Sequence, residues 1–232
     1  MVIPSDCTPA TSISYKSRRK RVREWHAWDK INATVLFIVH ALCLFAPSTF
    51  NWSAFWVAFA LYVFTVMFGI TLSYHRNLAH RSFKLPKYLE YLFAYIGLHA
   101  LQGDPIFWVS THRHHHKFTD TDKDAHSPLE GFWFSHINWI FDYKYMRSKG
   151  GRYKNVEDLK SQRYYRFLQK SHWLHLCLLP IILYTFGGFS FVVWGMGVRA
   201  VLGSHAIYMV NSVCHVWGHQ AWNTGDLSKN NW

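Results

Sequence analysis

Sixteen of the 232 residues are histidines, and six of these sit in three short motifs with ligand-like spacing. Neutral imidazole is a metal ligand at physiological pH, so spacing decides which rings can serve one site. The first motif is His75-Arg-Asn-Leu-Ala-His80. On a straight α-helix five residues turn about 500°, leaving the two rings roughly 140° apart and about 7.5 Å along the axis. They then share a metal only if the helix ends or bends between them. The second is His112-Arg-His-His-His116, in which His112, His115 and His116 share one helical face while His114 points off it. Alone, such a cluster reads equally as a solvated polar face. The third pairs Asn211 with His215 at i, i+4. A lone histidine at a helix end is ordinarily structural, and convergence of the three motifs is what argues for ligation.

Zinc is satisfied by three or four ligands, whereas six imidazoles ask for a binuclear site. Soluble carboxylate-bridged sites use Glu-x-x-His pairs, and the four glutamates of this chain form none. No acid lies at helical spacing beside the boxes to act as the base of a zinc hydrolase. The acidic run Asp120-Thr-Asp-Lys-Asp124 resembles the start of a calcium loop. However, Ala125 replaces the turn glycine and Gly131 stands where the bidentate glutamate belongs, which excludes calcium. His26, His40, His99, His172 and His175 are expected outside the site.

Four apolar stretches must carry these motifs: Ile31–Ala46, Trp52–Tyr74, Trp173–Phe186 and Phe189–Val210. The second and fourth reach the roughly 20 residues needed to span a bilayer, and each marginal stretch joins a long one through a short uncharged turn. Of the 25 Lys and Arg, seven precede the first stretch and 16 lie between the second and third. Both turns carry none. This asymmetry places the N-terminus, the middle segment and the C-terminus on the cytosolic side. It also accounts for the net charge of +12 without nucleic acid. Arg199 and His205, inside the fourth stretch, are expected to face the protein interior. Tyr88–Leu101 is short for a span and reads as an interfacial or buried helix. The cysteines, Cys7, Cys43, Cys177 and Cys214, show neither zinc nor disulfide spacing. No cleavable signal peptide is visible, and the basic N-terminal segment leaves an organelle transit peptide open. The expected fold is therefore an all-α integral membrane protein, with four transmembrane helices in two hairpins under a cytosolic helical cap. Residues 1–30 form a basic cytosolic segment and residues 31–232 the membrane domain.

Together the motifs resemble the membrane acyl desaturases of the stearoyl-CoA desaturase type, including their plant acyl-lipid branch. His75 to His80 followed by Arg81-Ser-Phe is similar to the first histidine box, His112 to His116 with Lys117 to the second, and Asn211-Ser-Val-Cys-His215 to the segment that follows. The resemblance implies two iron ions held by His75, His80, His112, His115, His116 and His215, with Asn211 acting through water. It also implies an acyl tunnel lined by Gln102 and Trp108, an acyl-lipid or acyl-CoA substrate, and an electron donor such as cytochrome b5. The endoplasmic reticulum membrane is the expected location, with a plastid membrane as the alternative. The family carries a further HxxHH box, and the chain ends at Trp232 before one, so an open site lacking three ligands is expected; His219 is not taken as a substitute. Ser110-Thr111 stand where acyl-CoA enzymes carry an Arg-Asp pair, which leans toward a lipid-linked chain. The competing readings are a truncated, non-catalytic desaturase-like protein and a related histidine-box hydroxylase.

Overall fold

A computed structural model describes residues 24–231; the basic run Lys16–Arg23 and Cys7 lie outside them. Among the described residues the protein is helical throughout, with no strand. Helix α1 (Ala27–Cys43) begins where Asp29 accepts from the His26 amide at 2.9 Å. The other Asp29 oxygen accepts from the Tyr143 amide at 2.7 Å, tying the start of α1 to the polar layer. Asn51 caps the next helix by accepting from the Ala54 amide at 2.8 Å, satisfying one of its orphan donors. That helix, α2, spans Trp52–Ala79; it is α-wound to Tyr62 and π-wound over Val63–Ala79.

Helix α3 (Lys87–Leu98) lies along the π-wound stretch at very short range. A Cβ on Gly69 would stand 2.5 Å from the Gly97 Cα, so the two backbones meet only because both positions lack side chains. Asp104 caps α4 (Pro105–Phe118) by accepting from the Phe107 amide at 3.0 Å, and proline occupies the first turn. Short helices α5 (Phe132–His136), α6 (Tyr143–Lys149) and α7 (Glu157–Lys160) build the polar layer. Helix α8 (Arg163–Val192) is broken at Gly188, whose φ of 62° and ψ of −156° are not helical. The chain bends back there, since Leu183 meets Gly195 across the break. A π-wound turn, Val193–Val198, leads into α9 (Arg199–Val216). Ile70, Tyr74, Leu98, Ile106, Val109 and Tyr165 form a buried core joining α2, α3, α4 and α8.

Two helical segments, Trp52–Ala79 and Arg163–Val216, each holding an 18-residue stretch of mean hydropathy 2.1, are long and apolar enough to cross a membrane. The expected boundaries shift: α1 starts at Ala27, α2 runs past Tyr74 through His75, and α8 starts at Arg163. Arg199 is buried and donates to the Gly195 carbonyl at 2.7 Å, the His99 carbonyl at 2.7 Å and Thr65 Oγ1 at 3.1 Å. His205 is half-buried and joins a chain of rings across three helices. Its Nε2 lies 3.1 Å from His40 Nε2 and its Nδ1 3.0 Å from His136 Nε2, while His136 Nδ1 meets Ser212 Oγ at 2.9 Å. The far end is fixed because His40 Nδ1 faces the Leu36 carbonyl at 2.7 Å, which only an N–H can satisfy.

Candidate metal centre

The π-winding of α2, together with its end at Ala79, brings the first two histidines together. In a π-helix the hydrogen bonds run from i to i+5, so residues five apart fall on one face. The His80 amide donates to the His75 carbonyl at 3.0 Å, and the two rings lie 4.6 Å apart, centroid to centroid. The helix does end between the two, as their spacing required, and the π-winding is what that spacing did not reveal. On α4, His112 and His116 face the same space, 4.5 Å apart. His75 lies 4.7 Å from His112, His80 lies 4.4 Å from His116, and the Nε2 atoms of His80 and His112 approach to 3.2 Å. Each of the four rings offers a nitrogen within 4.8 Å of the others. Burial, then the neighbouring imidazoles, hold His112 well below the usual histidine range and His116 at about 4. At neutral pH both are uncharged, with lone pairs free to bind a metal.

His115 shares the helix but faces different partners. Its Nδ1 lies 2.9 Å from Asp124 Oδ2, and its ring packs 4.3 Å from that of His126. His215, 6.1 Å from His115 by ring centroids, sets its own Nδ1 2.9 Å from Asp120 Oδ2. Each carboxylate therefore fixes a tautomer with the proton on Nδ1 and leaves Nε2 for a metal, the arrangement that orients histidine ligands in metalloproteins. The loop between the two acids is tightly wound: the Asp120 amide donates to Asp124 Oδ2 at 3.1 Å, and Asp120 sits in the left-handed region at φ 58°. Burial opposes the Asp124 charge, yet His126 and His115 beside it hold its carboxyl at about 2. His126 is buried and pushed down to about 3, chiefly by that burial, and its Nδ1 has no hydrogen-bond partner. His115, Asp124 and His126 form a second group of donors within 4.8 Å of one another. Sequence reasoning considered this acidic run only for calcium and missed Asp120, Asp124 and His126. Their signal was position, directly after the second histidine box.

A cavity of about 760 Å³ opens onto these rings, lined by His75, His112, His126 and Asn211 and walled by Leu36, Ile70, Leu176 and Ile207. Trp108 and Gln102 both line it; Trp108 Nε1 donates to Gln102 Oε1 at 3.1 Å, and the indole stacks on His112 at 4.6 Å. Thus His75, His80, His112 and His116 meet in one cluster, His115 and His215 sit beside it on aspartates, and Asn211 is on the cavity wall. His114 packs on Phe118. His40 belongs to the His205 chain, His99 and His175 pack on Tyr95, and His172 lines the cavity away from the cluster. His26 stands at the start of α1, and His219 is bridged to Asn230.

The sequence of this helical chain has counterparts among known proteins. Residues 50–232 match the family model described as fatty acid desaturase, and the chain belongs to that family; as an acyl desaturase it is an oxidoreductase. It is 59% identical, over 98% of this chain and 74% of the relative, to the "Acyl-CoA C20 Delta5-desaturase" of Anemone leveillei. It is 55% identical to "Delta-9 acyl-lipid desaturase 2" of Arabidopsis thaliana, over 97% of this chain and 74% of the relative. It is also 60% identical to the "Palmitoyl-monogalactosyldiacylglycerol delta-7 desaturase, chloroplastic" of the same plant, over 90% of this chain and 57% of the relative.

Proposed function

We propose that the protein is an oxygen-dependent desaturase that places a cis double bond in a CoA-linked or lipid-linked acyl chain at a histidine-held di-iron centre. The observation that carries this reading is the cluster of His75, His80, His112 and His116, two of which, His75 and His112, line a largely apolar cavity. The donors suit the metal: four imidazoles, no carboxylate in the first group, and the Nε2 atoms of His80 and His112 meeting at 3.2 Å. Bound iron would supply the oxygen activation needed to remove two hydrogens from an unactivated chain. The protein's own part is positional. Asp124 and Asp120 aim His115 and His215, Asn211 serves through water, and Gln102 with Trp108 fixes the chain beside His112. The apolar walls hold the acyl chain and keep bulk water from it. Electrons would come from a donor such as cytochrome b5.

The same reading makes α1, α2, α8 and α9 four spans in two hairpins, with both chain ends and the polar layer cytosolic, in the endoplasmic reticulum or a plastid membrane. Exposed Phe37, Leu44, Ile181 and Phe186, from 61% to 81% exposed, would then face lipid. Expression in a desaturase-deficient yeast, with iron assay and lipid analysis, tests the activity. New monounsaturated acyl chains that vanish in His75→Ala and His116→Ala are expected. A hydroxylated product would replace desaturation by hydroxylation, and unchanged lipids with no bound iron would remove the enzymatic reading.

A further inference from the structure

Arg113 lies between two metal-facing histidines in sequence, yet its side chain leaves the cluster and reaches the end of α2. It is largely buried, and all five of its N–H donors are engaged. Nη2 donates to the Leu78 carbonyl at 2.7 Å and Nε to the Ala79 carbonyl at 3.3 Å. Nη1 donates to the Asn155 carbonyl at 2.7 Å. The remaining two bonds form a fork on Asp158, each at 2.9 Å. Arg81 also meets Asp158, at 2.8 Å.

The two α2 carbonyls matter because of how that helix ends. The last π-type bond runs from the His80 amide to the His75 carbonyl at 3.0 Å, and the Ser82 amide reaches back six residues to the Arg76 carbonyl at 2.9 Å. The carbonyls of Leu78 and Ala79 fall beyond them, at a helix end where orphan acceptors and negative dipole gather. The guanidinium satisfies both. A cationic, planar group there favours the wound end that keeps His75 and His80 on one face, and it does so from the helix that carries His112 and His116.

We propose that Arg113 is a positioning residue: by capping the π-wound end of α2 from α4, it sets the spacing between the two histidine pairs of the metal cluster. This rests on the metal reading given above. Lysine, with one compact ammonium, cannot make both the fork to Asp158 and the carbonyl contacts. Asp158→Asn leaves Arg113 in place but removes its charged partner, so it should produce a weaker form of the same defect.

The test is Co²⁺ titration of the full chain in detergent, following the ligand-field bands, alongside thermal unfolding and hydrogen exchange of the metal-free protein. Arg113→Lys is expected to bind Co²⁺ at least tenfold more weakly and with shifted bands. Exchange at residues 78–82 should quicken while the metal-free unfolding temperature stays within a few degrees of wild type. Asp158→Asn should fall between the two. Wild-type bands and affinity in Arg113→Lys would overturn the proposal alone. So would a loss of affinity that merely follows a comparable loss of metal-free stability in both variants. A wild-type chain that binds no Co²⁺ would overturn the metal reading itself, and this inference with it.

Discussion

His115 and His215 each bind an aspartate through Nδ1, so replacing the carboxylate by an amide changes the ligand without removing it. Asparagine keeps the shape, but its carbonyl is a weaker acceptor and its NH₂ group can face the ring instead. Asp124→Asn is expected to lower metal affinity about 10–100-fold, the usual cost of losing a partner behind a ligand histidine. Competition with a chelator measures this. The pairing of His112 with His116 was readable from spacing, since residues four apart share a face on an α-helix. The turning of His115 toward Asp124 was not, because a loop bond formed nine residues away leaves no periodic trace.

The helices were legible from their apolar patterning, and the break at Gly187-Gly188 from its uncharged, glycine-only turn. The π-winding of α2 was hidden, because hydropathy along Val63–Ala79 reads alike for either winding while the facing of residues five apart does not. Close packing beneath that stretch gives a direct check. Gly97→Ala would press a methyl within 2.7 Å of the Tyr74 ring and 3.0 Å of the Gly69 carbonyl. Thermal unfolding in detergent should show a loss of about 1–3 kcal/mol, with weaker metal binding as α3 pushes α2 aside. The chain of rings through His205 makes a second check. Its replacement by leucine strands polar atoms on His40 and His136 at once, and each costs about 1–3 kcal/mol if left without a partner. Double variants with His136→Ala should be less destabilised than the sum of the single ones.

Across the whole molecule, histidines kept uncharged by burial link stability to pH. The folded values of about 4 for His116 and about 3 for His126 lie below the ordinary 6.5, so between these limits the unfolded chain binds more protons. Metal-free protein should hold its full stability above pH 6.5, lose it progressively as pH falls, and level off below the folded values. Unfolding temperature measured from pH 7.5 to 4 checks the sign; a flat profile would mean that these rings are charged in the fold. Orientation is testable at the same scale. Glycosylation acceptors inserted at residues 47–51 or 187–188 should be modified in endoplasmic reticulum membranes, and one inserted at residues 121–123 should not. The partition of Lys and Arg is what carries this expectation, because it depends only on which loops are charged.

Arg199 also bears on how the chain is made. A lone arginine at the centre of a membrane helix costs about 2.5–3.5 kcal/mol to insert. Here its guanidinium is satisfied by Thr65 and the His99 carbonyl, which precede it by 134 and 100 residues. On the proposed topology α9 is thus a poor candidate for entering the bilayer by itself and a good one once α2 and the end of α3 are in place to receive the charge. The order of synthesis, amino end first, presents the acceptors before the charge that needs them.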